Sequence, residues 1–299
     1  MTHDLDTALA GISGILVTPY GPGGDVAPDR LGPILDRAIN AGVHMPVVNG
    51  NTGEFYALTT DEACLMVDEV ARMIDGRAPL LAGVGRGIRD ATRLAEASAK
   101  AGAAALMIHQ PPDPFVAPRG TVDYVKAVSE ASGGLPIMLY LRNDAIGVDG
   151  IRALCDVPGV RGVKWATPNP MKLAEAMAAC DPSITWVDGL AEVWAPPFYA
   201  VGARGFTSGL INVWPERSVA IHAALDSGDY IEAQRLISEM RIFEDIRAEE
   251  LNGTNVTGVK AALLAMGRDC GPTRPPSAWP LTTAQQEKLD GFLKDNKLI

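Results

Sequence analysis

The feature that most limits what this chain can fold into is an alternation, repeated eight times between residues 14 and 225, of a short apolar run and a stretch of helical period. The runs are 14–18, 45–49, 79–82, 104–108, 136–140, 160–164, 184–187 and 205–208. Punctuation at their edges supports the helices between them: Pro28 opens the first and Gly42 stops it, and Thr59 with Glu62 forms a capping box before the stripe Met66, Val70, Met73, Ile74. Further helices are expected over 90–101, 121–131, 149–155, 171–179, 191–200 and 215–225. Strands that are apolar without alternation are buried on both faces, as in a parallel sheet covered by helices, and eight of them are the number that closes a barrel. A doubly wound sheet is the other architecture with this rhythm, but its G-x-G-x-x-G turn after the first strand is missing; Gly83-Val84-Gly85-Arg86-Gly87 follows the third run instead and reads as a tight turn near the site.

After Gly228 only helical periodicity continues, over about 229–250 and 255–266 and in a last helix capped by Thr282 and Gln285 that runs to about 294, with the Pro-rich stretch 272–280 between the last two. The expected fold class is therefore α/β, a (β/α)8 barrel over 1–227 with a C-terminal helical domain over 228–299 docked on it.

Charge and composition narrow the function. A net charge of -10 with no basic run argues against nucleic acid and anionic membranes as partners. No apolar run reaches the roughly 18 to 20 residues that span a bilayer, and the start Met1-Thr2-His3-Asp4-Leu5-Asp6 lacks the regions of a signal peptide, so a cytoplasmic location is expected. Cys64, Cys155, Cys180 and Cys270 form no C-x-x-C pair, and His3, His44, His109 and His222 show no ligand spacing, so neither a metal nor a disulfide framework is expected.

The chemistry-bearing residue is Lys164, in Gly162-Val163-Lys164-Trp165-Ala166 at the end of the sixth run. An amine there must reach water, as most strand-end lysines do, or lose its proton, because burying an unpaired ammonium is heavily penalised. A neutral lysine attacks ketones and forms a protonated Schiff base, an electron sink for the neighbouring carbon. In a barrel the active residues gather at the C-terminal strand ends. Those positions hold Gly50-Asn51-Thr52-Gly53-Glu54, whose backbone N–H groups suit a carboxylate, then Tyr140, Lys164, Gly189, and Ser208 with Asn212.

Thr52-Gly53-Glu54 after the second strand, Tyr140 ending the fifth and Gly162-Val163-Lys164 ending the sixth resemble the pattern of the dihydrodipicolinate synthase and N-acetylneuraminate lyase family. The opening Gly14-Ile15-Leu16-Val17-Thr18-Pro19-Tyr20, the Leu81-Ala82-Gly83-Val84-Gly85 stretch and Arg274-Pro275-Pro276 extend the resemblance over nearly the whole chain. The resemblance implies a class I Schiff-base lyase without cofactor, a homo-oligomer (tetramer or dimer) of barrels each with a C-terminal helical domain. It implies Lys164 as the Schiff-base lysine for a 2-keto acid, Tyr140 as proton shuttle, Thr52 and the loop amides as carboxylate holders, and Glu54 as a tie for the loop.

Three departures bear on the substrate. Synthases carry an arginine five residues after the tyrosine, where this chain has Ala145; Asn51 replaces their first hydroxyl-bearing loop residue; and Pro112-Asp113-Pro114-Phe115 replaces their tyrosine pair, so that Asp113 or a water held by Asn51 must complete any proton relay. Tyr140-Leu141-Arg142-Asn143-Asp144-Ala145 is instead similar to the Tyr-Asn-Arg-Asp-Asn-Ala of 5-dehydro-4-deoxyglucarate dehydratases, as are Thr207-Ser208 and Asn212 to their Ser-Ser and Asn, although Trp165-Ala166-Thr167 differs. The expected substrate contacts are Asn51, Thr52, Arg142, Gly189, Ser208 and Asn212, with Arg142 toward a second anionic or polyhydroxy group. The expected function is dehydration or aldol cleavage of a 2-keto-3-deoxy sugar acid or related 2-keto acid, 5-dehydro-4-deoxyglucarate among them. Condensation of pyruvate with aspartate semialdehyde, and a barrel that binds a keto acid without turnover, are the alternatives.

Overall fold

The computed structural model describes residues 4–299; residues 1–3, His3 among them, lie outside the described residues. The eight apolar runs form eight parallel strands: β1 Ile12–Ile15, β2 Met45–Val48, β3 Leu81–Val84, β4 Ala105–His109, β5 Ile137–Leu141, β6 Val160–Trp165, β7 Thr185–Asp188 and β8 Phe206–Ser208. They close in sequence order, β8 pairing back onto β1 through Ser13 and Thr207. A short helix α1, Leu5–Leu9, precedes the barrel and was not legible in the sequence. The outer ring is α2 Gly32–Ala41, α3 Thr60–Ile74, α4 Ile88–Lys100, α5 Pro118–Ala131, α6 Gly147–Cys155, α7 Pro170–Ala179, α8 Ala195–Ala200 and α9 Pro215–Asp226. Then come α10 Tyr230–Asn252, α11 Asn255–Ala265 and α12 Thr283–Asp295, which begins in the expected capping box. The expected division at 227/228 falls in the turn between α9 and α10. Among the described residues no helix is long and apolar enough to cross a membrane.

Three local expectations are corrected. The first strand begins two residues early and leaves the ladder after Ile15, where the Val17 N–H is taken by a side chain, Asn212 Oδ1 at 3.1 Å. The helix after β7 begins at Ala195 rather than 191, because Ala191 sits in the left-handed region at φ 67°. Gly83 is no turn residue: it lies inside β3, where a side chain would overlap the Asn49 carbonyl, and the left-handed residue of that loop is Arg86.

Strand parity decides what faces the site. Met138 and Tyr140 on β5 point into the barrel with Met45, Val47, Leu81, Met107 and Val187, whereas Leu139, Leu141, Val163 and Trp165 pack outward under the helices. The β5–β6 register sets Tyr140 opposite Lys164. Both side chains therefore project from the same face at the same strand ends.

The loop after β2 is clamped by the C-terminal segment. Glu54 adopts φ 55°, and its carboxylate lies 2.6 Å from Lys260 Nζ while accepting the Arg274 N–H at 2.8 Å. Arg274 in turn grips both carboxylate oxygens of Glu62. Two buried, opposite charges with further hydrogen bonds, such as Lys260 Nζ donating to the Pro272 carbonyl at 3.1 Å, offset each other's desolvation. Glu54 ties the loop down, the role the resemblance implied.

Candidate active site

Lys164 is 3% exposed and its amine opens into a cavity of about 340 Å3 at the C-terminal end of the barrel, making no hydrogen bond or ion pair with any described residue. Its Nζ lies 3.9 Å from the centroid of the Tyr140 ring. Burial pushes its pKa down to about 7, against the opposing pull of Asp188 and with a smaller push from Arg142. The solvent-pointing alternative is thus removed, and a large share of the amine is neutral at neutral pH.

Tyr140 is buried beside it, and Asn51 Nδ2 donates to its Oη at 2.9 Å. Burial pushes the phenol up to about 12, so it keeps its proton and can give it to a group in the cavity. The ring packs 5.3 Å from His109, which ends β4 and whose Nε2 meets the Asn49 carbonyl at 3.0 Å. Burial, then Lys164, pushes His109 down to about 3, leaving a neutral imidazole that supports the tyrosine and the β2 loop.

Asn51 and Thr52, which both line the same cavity, open a single 3-10 turn, Asn51–Gly53, whose first N–H groups have no acceptor within the turn. Gly189 lines it too; its N–H reaches the Trp165 carbonyl at 2.7 Å, and an added Cβ would stand 2.8 Å from Ala166 Cβ, so the strand end has no room for a side chain. Arg142 stands exposed at the mouth, its N–H held by Gln110 Oε1 at 2.7 Å and its guanidinium without a hydrogen bond or ion pair among the described residues. It separates this cavity from an adjoining one of about 510 Å3 that holds Asp113 and Ala145. Of the two relay candidates, then, Asn51 touches Tyr140, while Asp113 accepts the Phe115 N–H within its own loop at 2.7 Å.

Ser208 and Asn212 do not line the Lys164 cavity, contrary to expectation. Ser208 Oγ and Ser218 Oγ both donate to Glu192 Oε1 at 2.6 Å, and Asn212 bonds the Val17 N–H and the Ile15 and Gly209 carbonyls. The buried Glu192 carboxyl, pushed up to about 7 by burial and then by Glu244, draws the serine away from the cavity. Ser208→Ala is therefore expected to lower unfolding free energy by about 1–3 kcal/mol, the cost of a lost donor at a buried acceptor, while leaving keto-acid affinity intact. Denaturant unfolding and ligand titration read the two separately; weakened binding at full stability would restore Ser208 as a substrate contact.

Two groups escaped the sequence reading. Asp188 ends β7 fully buried, one oxygen accepting the Leu190 N–H at 2.8 Å and the other without a partner, and burial raises its carboxyl well above the usual range, with Glu192 adding to the push. The second is one wall of the cavity, lined by Glu244, Arg247 and Asn255 among other residues of α10 and α11. Only the position of Asp188 at a strand end could have flagged it; nothing local marks the helical wall.

A model of the dihydrodipicolinate synthetase family matches residues 8–296. The chain is 31% identical to a probable 5-dehydro-4-deoxyglucarate dehydratase of Chelativorans sp. (strain BNC1), covering 96% of this chain and 95% of that one. It is 30% identical to a 4-hydroxy-tetrahydrodipicolinate synthase of Maridesulfovibrio salexigens, covering 95% and 97%. Among solved structures, dihydrodipicolinate synthase from Oceanobacillus iheyensis superposes with a TM-score of 0.93 at 33% identity, covering 99% of both chains. The enzyme of that name from Bacillus clausii gives 0.94 at 33% identity, covering 98% of this chain and all of the other.

Proposed function

The chain belongs to the dihydrodipicolinate synthetase family, a family of lyases, and from that premise we propose that it is a class I Schiff-base enzyme acting on a 2-keto-3-deoxy sugar acid or a related 2-keto acid. The observation that carries the reading is the buried, unpaired Lys164 amine opening into the cavity against the Tyr140 ring. The neutral amine attacks the C2 ketone, and the carbinolamine loses water to give a protonated imine. Tyr140 gives its proton to the departing hydroxyl. The imine draws electrons from C3. The Tyr140 phenolate so formed takes a proton and then returns it: from C3 to the C4 hydroxyl, which the enamine expels as water, or from the C4 hydroxyl, breaking the C3–C4 bond with release of an aldehyde and the pair sent to the imine, to C3 of the resulting enamine; water then hydrolyses the imine and frees Lys164. The Asn51 and Thr52 N–H groups hold the C1 carboxylate. Asn51 also orients the phenol.

Turnover on a panel of keto-deoxy sugar acids tests the reading, with loss of water and release of pyruvate separating the two branches. Efficient condensation of pyruvate with aspartate semialdehyde would overturn the substrate class, because Ala145 offers that aldehyde's carboxylate no charge. The same proposal includes a cytoplasmic homo-oligomer, tetramer or dimer, each barrel carrying 228–299 as its helical domain.

Arg142 at the mouth is a cation without a hydrogen bond or ion pair among the described residues, suited to a second anionic group. Arg142→Ala is expected to weaken a sugar diacid by about 1.5 to 3 kcal/mol, the range for a hydrogen bond to a charged group, and to change pyruvate little, since pyruvate has no far end to grip. Equal loss for both ligands would make the arginine a structural support.

A further inference from the structure

One wall of the Lys164 cavity comes from the helices after the barrel, and its chemistry differs from that of Arg142. Arg247 on α10 is 4% exposed and lies against Gly209, where an added Cβ would collide with its guanidinium. It bonds Glu244 Oε1, the Asn255 carbonyl at 3.3 Å and Asn255 Oδ1 at 3.0 Å. Those bonds use three of the five N–H groups of a guanidinium and leave two. Glu244 keeps its second oxygen and Asn255 its amide N–H groups, none of them hydrogen-bonded among the described residues.

Between Arg247 and Asn255 the chain passes through Glu250, Leu251 and Asn252, three successive non-glycine residues at φ 51°, 60° and 66°. Backbone held in that region persists only where the surroundings over-determine it, and it clusters at ligand sites. Here it brings Asn252 and Asn255 to the same wall as Arg247.

This wall carries spare donors and a spare acceptor, and the Arg247 and Glu244 charges cancel. A carboxylate reaching it would meet the Glu244 carboxylate together with the guanidinium. A hydroxyl, which both donates and accepts, is matched by the whole set. The cavity, at about 340 Å3, also exceeds what a three-carbon acid needs, being within the roughly 300–1,000 Å3 of sites for larger ligands. Building on the Schiff-base reading above, we propose that Glu244, Arg247 and Asn255 form a hydroxyl-reading subsite that selects 2-keto acids with a polyhydroxylated tail over unsubstituted ones. Arg142, unpaired among the described residues, is left to any anion; the wall from α10 and α11 reads neutral hydroxyls.

The test compares two acids, 2-oxobutyrate and 2-keto-3-deoxygluconate, by the concentration that gives half-maximal borohydride-trapped adduct in the full-length protein. The native protein is expected to favour the hydroxylated acid by tenfold or more. Glu244→Gln keeps shape and removes the charge, and Arg247→Lys keeps the charge and removes the fork; each should reduce that preference about tenfold. A native preference near one, or a preference unchanged in both variants, overturns the subsite while the Schiff-base reading stands. No adduct from either acid overturns the Schiff-base reading and the subsite with it. Should one variant fail to fold, the native preference and the other variant decide.

Discussion

Pyruvate followed by borohydride is expected to leave an irreversible adduct on one lysine, Lys164, and none on the Lys164→Ala variant. Turnover in that variant should fall by at least about 10⁴-fold, because losing a covalent nucleophile removes the whole route and not one contact along it. The pH dependence has a definite sign. Burial lowers the folded pKa of Lys164 to about 7, so the amine is protonated below that value and neutral above it. Adduct formation should therefore rise with pH through about 7 and level off, whereas an exposed lysine would keep rising toward its ordinary value near 10.5. Asp188 opposes the effect of burial, so Asp188→Asn is expected to move the midpoint lower. Peptide mapping of the adduct checks the position. Labelling that survives Lys164→Ala would remove the assignment.

Tyr140→Phe is expected to keep the fold and lose on the order of 10² to 10⁴ in kcat, the usual contribution of a positioned acid or base. The ring that packs on the Lys164 amine and against His109 remains, and only Oη and its bond from Asn51 are lost. Because the phenol holds its proton up to about pH 12, its loss removes a proton donor across the whole working range. A KM close to native with the low kcat would place the loss in the chemical step. A near-native kcat would instead show that another group, Asp113 or a water held by Asn51, carries the proton.

Lys164 and Tyr140 were legible as a pair because each ends an apolar run, and neighbouring strands in a parallel barrel bring such ends together. Glu54 was also read in its role, through the resemblance. Ser208 and Asn212 misled for a physical reason: a strand-end position says that a residue is near the mouth but not what its side chain bonds. A buried carboxyl on the preceding loop, Glu192, claims Ser208, and the unpaired backbone where β1 ends claims Asn212. His109 reads as a lone histidine until the Phe55 ring, stacked at 4.5 Å, and the Asn49 carbonyl close around it.

The sequence by itself determined the barrel, the order of its strands and the strand that ends in Lys164, since period, run length and capping are local and the pattern recurs eight times. Only the tertiary structure decided that the lysine is buried and, among the described residues, unpaired, that Arg142 has no partner among them while Arg247 is matched by Glu244, and that helices read as an appendage supply one wall of the cavity. Protonation state and partner choice depend on burial and on groups distant in the chain, and these are set only when the barrel closes and α10 and α11 pack over its end.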